Sequence, residues 1–242
     1  VPAEKWRQLC DRHFGIGSDG LLLLEMAERP EADFRMRYHN ADGEECAMCG
    51  NGSRALIHFA AALGIRPKDP KGYYRMQTMN GLYQATLKGE EAHIGMAELR
   101  DVGSIAVDDL YRAGHALFLD TGVPHAVFEV DDVAQVDVPS WGAKIAHQPR
   151  FPNSTNVNFF QVLGDKSVSV RTFERGVEGE TLACGTGVTA VAVACQRFFG
   201  WVGRIQVRVA GGDLAVDLGP NATSVLFSGK VQKVFEGIIV LD

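Results

Sequence analysis

The chain has 242 residues, of which 46% are hydrophobic and 22% are charged, a composition typical of globular proteins rather than of disordered or fibrous ones. Its net charge of −6 argues against a broad cationic surface for nucleic acid or anionic lipid. No stretch of about 18 residues lacks charges or strong helix breakers, and the N-terminus lacks the plan of a signal peptide. We therefore expect a soluble, cytoplasmic protein that binds neither nucleic acid nor a membrane.

The first hundred residues predict two helices separated and followed by strands. Trp6, Leu9 and Cys10 share one face of a short helix. The sequence Cys-Gly-Asn-Gly at 49–52 opens a second helix, over about 53–63, which is apolar on nearly every side and should be buried all round. The strands are predicted at 21–25, 34–38, 73–78, 82–88 and 92–96.

The second half of the chain repeats this order. A strand at 168–174 precedes Cys-Gly-Thr-Gly at 184–187, which opens another apolar helix that ends at Phe199, and strands follow near 204–209, 213–218 and 224–227. Cys49 and Cys184 are 135 residues apart, and the turn glycines Gly81 and Gly212 are 131 apart. Self-similarity on this scale predicts two like domains.

The domain boundaries follow from that repeat. We predict domains at 1–98 and 99–233, with the boundary near 97–101. The apolar tail at 234–242 is one strand too many for the second repeat, and it is predicted to cross back and complete the first domain.

The two Cys-Gly-X-Gly motifs indicate acid/base chemistry. Each sulfur would lie beside the unpaired N–H groups and the positive dipole end of a helix, where the thiol pKa can fall from about 8.5 to between roughly 3.5 and 7.5. The same N–H groups can hold a carboxylate or a phosphate. If the two domains face each other, one thiolate can remove a proton from a carbon while the other thiol delivers one from behind, which inverts a stereocentre.

The remaining cysteines and histidines have plainer interpretations. The five cysteines are too sparse for a disulfide scaffold, and Cys10 and Cys195 are expected in the core. Cys46 and Cys49 form a C-x-x-C that could be a redox pair, but the second pair that a structural zinc site needs is absent from the sequence, so we predict no metal. His125, after a Gly-Val-Pro turn, is a candidate for a cleft.

Longer motifs in the chain resemble the diaminopimelate epimerase family. They are Asn-Ala-Asp-Gly at 40–43, Met-Cys-Gly-Asn-Gly at 48–52, Glu-Arg-Gly at 174–176 and Glu-Thr-Leu-Ala-Cys-Gly-Thr-Gly at 180–187, and the likeness spans the chain. The resemblance implies a cofactor-free isomerase that interconverts L,L- and meso-diaminopimelate, and a homodimer. It also implies two pseudo-symmetric α/β domains of the α+β type, each an antiparallel sheet wrapped around a central helix.

The resemblance assigns a role to each matching residue. Cys49 and Cys184 are the two acid/base thiols, with His125 and Glu174 beside the reacting centre. The reacting carboxylate is held at the two helix N-termini, and other residues grip the distal amino-acid end. The substrate-binding residues so implied are Asn40, Gly50, Asn51, Asn156, Glu174, Arg175, Gly185 and Thr186.

Three departures from the family pattern keep alternatives open. Val123 stands where the family usually has asparagine, so a related racemase of another amino acid, such as histidine or proline, is the nearest rival. The loop from Arg175 to Cys184 is one residue longer than usual. The family's first strand and its Gly-Asn-Asp segment have no counterpart here, from which we expect lower stability and weak activity. A non-catalytic or thiol-redox protein using Cys46 and Cys49 is the alternative from another class.

Overall fold

The chain folds into two units of mixed α and β structure, and the computed structural model describes residues 2–96 and 105–240. One unit comprises Val1–Ile94 together with Lys230–Asp242, and the other comprises Gly95–Gly229. The boundary predicted near 97–101 lies outside the described residues. Each unit is a mostly antiparallel sheet with a helix packed on it, as the α+β prediction requires.

The described part of the first unit contains two helices and six strands. In chain order these are α1 (Ala3–Cys10), β1 (Gly20–Glu25), β2 (Phe34–Asn40), β3 (Glu45–Cys46), α2 (Gly50–Ala62), β4 (Tyr74–Thr78), β5 (Gly81–Lys88) and β6 (Glu91–Gly95). The strand order is β1-β2-β4-β5-β6, with β3 beside β2. Because α2 carries the chain across between them, β2 and β4 run parallel, whereas the other neighbours are antiparallel.

The two helices of this unit differ in how well the sequence predicts their burial. Helix α1 buries Trp6, Leu9 and Cys10, which confirms the predicted apolar face. Helix α2 buries Leu56 and Ile57 against the sheet, but other apolar side chains of this segment are exposed, Phe59 by 50% and Leu63 by 58%. The expectation that α2 is buried on every side is therefore wrong, because the strands of this unit cover only one of its faces.

The second unit contains the remaining elements. They are β7 (Ala116–Asp120), β8 (Pro124–Glu129), α3 (Val138–Ala146), β9 (Asn156–Gly164), β10 (Ser167–Glu174), β11 (Gly179–Thr181), α4 (Gly185–Phe199), β12 (Gly203–Val209), β13 (Gly212–Leu218) and β14 (Val225–Lys230). The strand order is β14-β13-β12-β10-β9-β8-β7, with β11 beside β10. The parallel pairs β10–β12 and β8–β9 are each bridged by a helix, α4 and α3 respectively.

Helix α4 is the centre of the larger core cluster. Its residues from Gly187 to Cys195 are all buried, among side chains from strands on the same sheet. It ends at Gly200, whose φ of 70° is the left-handed conformation that glycine adopts without a steric cost. The predicted all-apolar, fully buried helix is confirmed here.

The two units repeat one order of elements. Each has a strand, a short strand beside it, a cysteine, a helix, a strand parallel to the first and an antiparallel hairpin: β2 to β6 in one unit and β10 to β14 in the other. The second unit adds β7, β8 and α3. The repeated spacing of the two Cys-Gly-X-Gly motifs therefore reflects a repeated topology.

The strand predicted at 234–242 is not formed in the described part of that segment. Residues 231–240 contain no strand, although the amide of Val231, at the start of this segment, donates to the carbonyl oxygen of Glu90 at 3.0 Å. The apolar side chains that suggested a strand are exposed, Val234 by 87% and Ile238 by 99%. The prediction of a strand is wrong for these residues, because apolar composition alone does not make a segment pair with a sheet. Leu241 and Asp242 lie outside the described residues.

Candidate active site

The two motif cysteines occupy equivalent local positions, each at the N-cap of a helix that follows a short strand, although only the Cys49 side chain makes a capping hydrogen bond. Cys49 caps α2 with φ −136° and ψ 119°, and Cys184 caps α4 with φ −122° and ψ 111°. These extended dihedral angles turn the chain so that the first-turn N–H groups of each helix point toward its N-terminal end. Both sulfurs therefore lie where a helix dipole favours negative charge, as the motifs predict.

The Cys49 sulfur accepts a hydrogen bond from the backbone of its own helix. The amide of Gly52 donates to its Sγ at 3.3 Å, which makes the side chain a true helix cap. Tyr38, on β2, is a neighbour of this cysteine. Burial and the neighbouring Cys49 raise the pKa of Tyr38, so the phenol keeps its proton.

A buried guanidinium lies one turn further along α2. Arg54 donates from Nη2 to the side-chain oxygen of Asn51 at 2.7 Å and from Nη1 to the carbonyl oxygen of Lys230 at 3.2 Å. Burial lowers the pKa of Arg54, and the charge of Cys49 acts in the opposite direction. Gly50 and Asn51 are the first two residues of the helix, so their amides point toward its N-terminal end.

Asn40 ends β2 and is tied to the other cysteine of the C-x-x-C. Its Nδ2 donates to the sulfur of Cys46 at 2.9 Å. Burial, followed by the charges of Asp42 and Cys49, raises the pKa of Cys46. Cys46 and Cys49 are not joined by a disulfide in the part of the chain that the structure describes. A thiol with a raised pKa is a poor nucleophile, which argues against a redox pair.

Cys184 has a different environment, which includes a carboxylate. Its Sγ lies 3.4 Å from the hydroxyl oxygen of Thr186, and Glu174 is a neighbour whose pKa it influences. Glu174 accepts a hydrogen bond from the hydroxyl of Thr181 at 2.9 Å. Burial raises the pKa of Glu174, and its interactions with Thr181 and Cys184 oppose the shift.

His125 is completely buried at the start of β8, rather than entering from an exposed turn. Asn158 donates from Nδ2 to its Nδ1 at 3.0 Å, so that nitrogen carries a lone pair and the proton sits on Nε2. Burial, with the charge of Arg175, lowers the pKa of His125 to about 3. Nε2 is buried and has no hydrogen-bond partner among the described residues. The ring is thus a neutral donor that a ligand can satisfy.

Asn158 connects the histidine to the start of α4. Its Oδ1 accepts from the hydroxyl of Thr172 at 3.0 Å. A Cβ atom at Gly187 would lie 2.4 Å from the same oxygen and 3.4 Å from the Cys184 sulfur. Glycine at 187 therefore lets the asparagine approach the first turn of the helix closely.

Asn156 and Arg175 form a second linked pair. Asn156 accepts the backbone N–H of Arg175 at its Oδ1 and donates from Nδ2 to the carbonyl oxygen of Pro124, both at 3.0 Å. The guanidinium of Arg175 donates to the carbonyl oxygen of Asn153 at 3.1 Å. Asn156 thus fixes the backbone at Arg175, and its predicted contact with a substrate stays a prediction.

Each unit brings together its own share of the predicted residues. In the first unit Cys49, Gly50 and Asn51 lie together at α2, and Asn40 reaches Cys46. In the second unit Cys184, Gly185, Thr186 and Glu174 lie at the start of α4, with Asn156 joined to Arg175 and His125 joined to Asn158. Sequence reasoning missed Tyr38, Arg54, Asn158, Thr172 and Thr181. One signal was available: Asn156 and Asn158 alternate on one strand, so their side chains share a face.

Searches of the described residues for other kinds of site gave no result. No group of three or more histidine, cysteine, aspartate or glutamate side chains there could hold a metal ion. No helix among residues 2–96 and 105–240 is long and apolar enough to cross a membrane.

The chain is similar to known proteins along nearly its whole length. A family described as diaminopimelate epimerase matches residues 1–100 and 117–234. The chain is 42% identical to the diaminopimelate epimerase of Chlorobaculum tepidum, over 98% of this chain and 91% of that protein. It is 38% identical to the diaminopimelate epimerase of Aquifex aeolicus, over 96% of this chain and 83% of that protein.

Solved structures share the fold at low sequence identity. A probable proline racemase from Agrobacterium radiobacter superposes with a TM-score of 0.70 at 18% identity, covering 99% of this chain and 81% of that one. A phenazine biosynthesis protein of the PhzF family from Bacillus anthracis also gives 0.70, at 15% identity, covering 95% of this chain and 86% of that one. The same fold therefore occurs in proteins that are named for other activities.

Proposed function

We propose that this protein interconverts L,L- and meso-diaminopimelate by a two-cysteine acid/base mechanism. The chain belongs to the diaminopimelate epimerase family and is therefore an isomerase. In that role it serves the synthesis of lysine and peptidoglycan. The observation that carries the proposal is the pair of helix-capping cysteines, Cys49 and Cys184, at corresponding places in a repeated topology. A cytoplasmic location and a homodimer stay predictions.

The chemistry needs two groups that act from opposite faces of one carbon. One thiolate removes the α-proton, and the other thiol delivers a proton from the opposite side, so that the stereocentre inverts. The reaction requires both sulfurs to approach the same α-carbon. After each turnover the proton has moved from one cysteine to the other, and the two must exchange it before the next identical turnover.

An α-proton is weakly acidic, so the charge that develops on the substrate must be stabilised. The amides at the start of each helix, at Gly50 and Asn51 and at Gly185 and Thr186, are suited to hold the reacting carboxylate. His125 supports this role, since its buried Nε2–H has no partner among the described residues.

The distal end of the substrate carries a second ammonium and carboxylate. The guanidinium of Arg175 can pair with that carboxylate, and the side-chain oxygen of Asn40 can accept from the ammonium. Glu174 is a neighbour of Cys184, and we assign it to positioning the proton of that thiol.

The rival substrate depends on one position. Val123 lies in the turn between β7 and β8, where its carbonyl oxygen accepts from the amide of Thr121 at 3.1 Å, and its apolar side chain offers no hydrogen bond to a distal amino-acid group. A racemase of another amino acid is the second candidate on this ground.

The test is incubation of the reduced protein with L,L-diaminopimelate in deuterium oxide, with the α-proton signal and the meso isomer followed by NMR. Parallel samples contain L-histidine and L-proline. The proposal predicts loss of the signal and formation of the meso isomer with diaminopimelate alone. Exchange with proline or histidine and none with diaminopimelate would contradict it.

A further inference from the structure

Asn158 lies on the strand between those that carry His125 and Thr172. Strand β9 has β8 on one side and β10 on the other. In the register, Asn158 is opposite Thr172 on β10 and opposite Val127 on β8, two residues after His125. Its side chain is fully buried. The asparagine is therefore placed to bind polar groups on both neighbouring strands.

The amide of Asn158 joins three polar groups of these strands. Its Nδ2 lies 3.0 Å from Nδ1 of His125 and donates to the carbonyl oxygen of Ala126 at 3.2 Å. Its Oδ1 accepts from the hydroxyl of Thr172 at 3.0 Å. Because a primary amide has two N–H donors, both are used on β8, and the oxygen is used on β10.

The carbonyl group of Ala126 determines which way round the amide lies. A carbonyl oxygen only accepts, whereas the hydroxyl of Thr172 can donate or accept and does not distinguish the two orientations. Turning the amide over would place Oδ1 of Asn158 against the Ala126 oxygen, two buried acceptors without a hydrogen between them. Nδ2 must therefore face Ala126, and with it the ring of His125. Since Nδ2 only donates, Nδ1 of the ring must accept, and the ring proton is on Nε2.

The other ring nitrogen of His125 is the one that a ligand can reach. Nε2 is buried and has no hydrogen-bond partner in the part of the chain that the structure describes. Buried polar groups are nearly always paired, so a donor kept in this state is suited to a bound molecule. An Nε2 that carries the proton of a neutral ring can donate a hydrogen bond, but it has no lone pair with which to remove a proton.

We propose that Asn158 is a positioning residue that holds His125 as the neutral Nε2–H tautomer, so that the ring offers the substrate a hydrogen-bond donor and no base. This inference rests on the proposed function and deepens it. The histidine then stabilises charge on the substrate, and the transfer of the α-proton is left to the two thiols.

The direct test is ¹⁵N NMR of the protein labelled in its histidine rings, recorded without substrate. A protonated and an unprotonated ring nitrogen have well-separated chemical shifts, and the signals of His125 are those lost in His125→Gln. In the native protein we expect an unprotonated Nδ1 and a protonated Nε2. A native ring that carries its proton on Nδ1 would overturn the inference.

Asn158→Asp changes the donor into an acceptor at nearly the same volume. An ionised carboxylate only accepts, so Nδ1 of His125 should become protonated. If the ring stays neutral, its Nε2 loses the proton, and kcat should fall by about 10²-fold, as for the loss of one donor to the transition state. A variant whose Nδ1 stays unprotonated would contradict the role of Asn158.

Thr172→Val is the matched control. It removes the partner of Oδ1, but it leaves the contacts of the Asn158 Nδ2 with His125 and Ala126 in place. It should therefore lower stability without moving the ring proton. A ring proton that moves as much in Thr172→Val as in Asn158→Asp would show that the tautomer follows general loosening of the core, and would overturn the inference.

Asn158→Ala covers the case in which a buried carboxylate prevents folding. Without a donor at Nδ1 nothing selects one tautomer, so the two His125 signals should move toward each other as the tautomers exchange. A ring that keeps its proton fixed on Nε2 in this variant would contradict the inference.

Addition of diaminopimelate separates this inference from the proposed function. In a native sample that forms the meso isomer, the Nε2 signal of His125 should shift while Nδ1 stays unprotonated, and an unmoved Nε2 signal would refute the donor role. A sample that exchanges no α-proton would refute the proposed function, whereas the spectra without substrate would still decide whether Asn158 sets the tautomer.

Discussion

Replacing Asn158 with alanine should cost a large part of the stability of the second unit. The side chain is fully buried, donates to His125 and accepts from Thr172. Alanine leaves the Nδ1 of His125 and the hydroxyl of Thr172 buried without these partners. At about 1–3 kcal/mol for each unsatisfied group, the free energy of unfolding should fall by about 2–6 kcal/mol, against a total of about 5–15 kcal/mol for a typical protein.

A double-mutant cycle with Thr172→Val separates the hydrogen bond from the cavity. Thr172→Val alone leaves the Oδ1 of Asn158 without this donor and should cost about 1–2 kcal/mol. In the double variant neither side chain is left with an unsatisfied group from this hydrogen bond, so the loss of stability should be smaller than the sum of the two single losses by about 1–2 kcal/mol. The cavity at position 158 is present in both variants that carry the alanine, so its cost cancels in the cycle.

The assay is urea unfolding, followed by the fluorescence of Trp141 and Trp201, which lie in this unit. Strict additivity of the two substitutions would show that Asn158 and Thr172 do not interact, and would refute the described network.

Two further predictions concern a pH dependence and a close contact. The pKa of His125 is lowered from 6.5 to about 3, so between these pH values the unfolded chain binds a proton that the folded protein does not. The free energy of unfolding should therefore fall by about 1.4 kcal/mol for each pH unit below 6.5. Urea midpoints between pH 7 and 4 should show this slope in the native protein and lose it in His125→Gln, and an equal slope in both would contradict the assignment. Gly142→Ala should lower the stability of the protein, because the added Cβ would lie 2.3 Å from the Cβ of Phe173. Overpacking of this kind costs about 1–3 kcal/mol, which outweighs the gain of about 1 kcal/mol in helix propensity. A raised thermal midpoint for Gly142→Ala would refute that reasoning.

The sequence predicted best those elements that depend on local pattern. Helix α4 has apolar residues on every side and ends at a glycine, and both its burial and its start at Cys184 followed from periodicity and capping. Helix α2 has a similar pattern, yet Phe59 is half exposed, because burial depends on how many strands the unit supplies. The strand predicted at 234–240 failed because apolar residues alone do not determine whether a segment pairs with a sheet.

In the site, the motifs located the two thiols and left their surroundings undetermined. Glycine and cysteine at fixed spacing indicate a helix N-terminus, which is a local property. That Asn158 meets His125 depends on strand register and on the space left by Gly187. Single-sequence reasoning carries no information about such distant pairs.

The most direct test of the two-base mechanism is the isotope content of substrate and product early in the reaction. L,L-diaminopimelate is converted in deuterium oxide and stopped after a small fraction has reacted. Two separate acid/base groups predict that the meso product carries deuterium at the inverted carbon while the unreacted L,L pool keeps its protium. Product that retains the original hydrogen would show that one group both removes and returns the proton, and would contradict the assignment of Cys49 and Cys184 as partners.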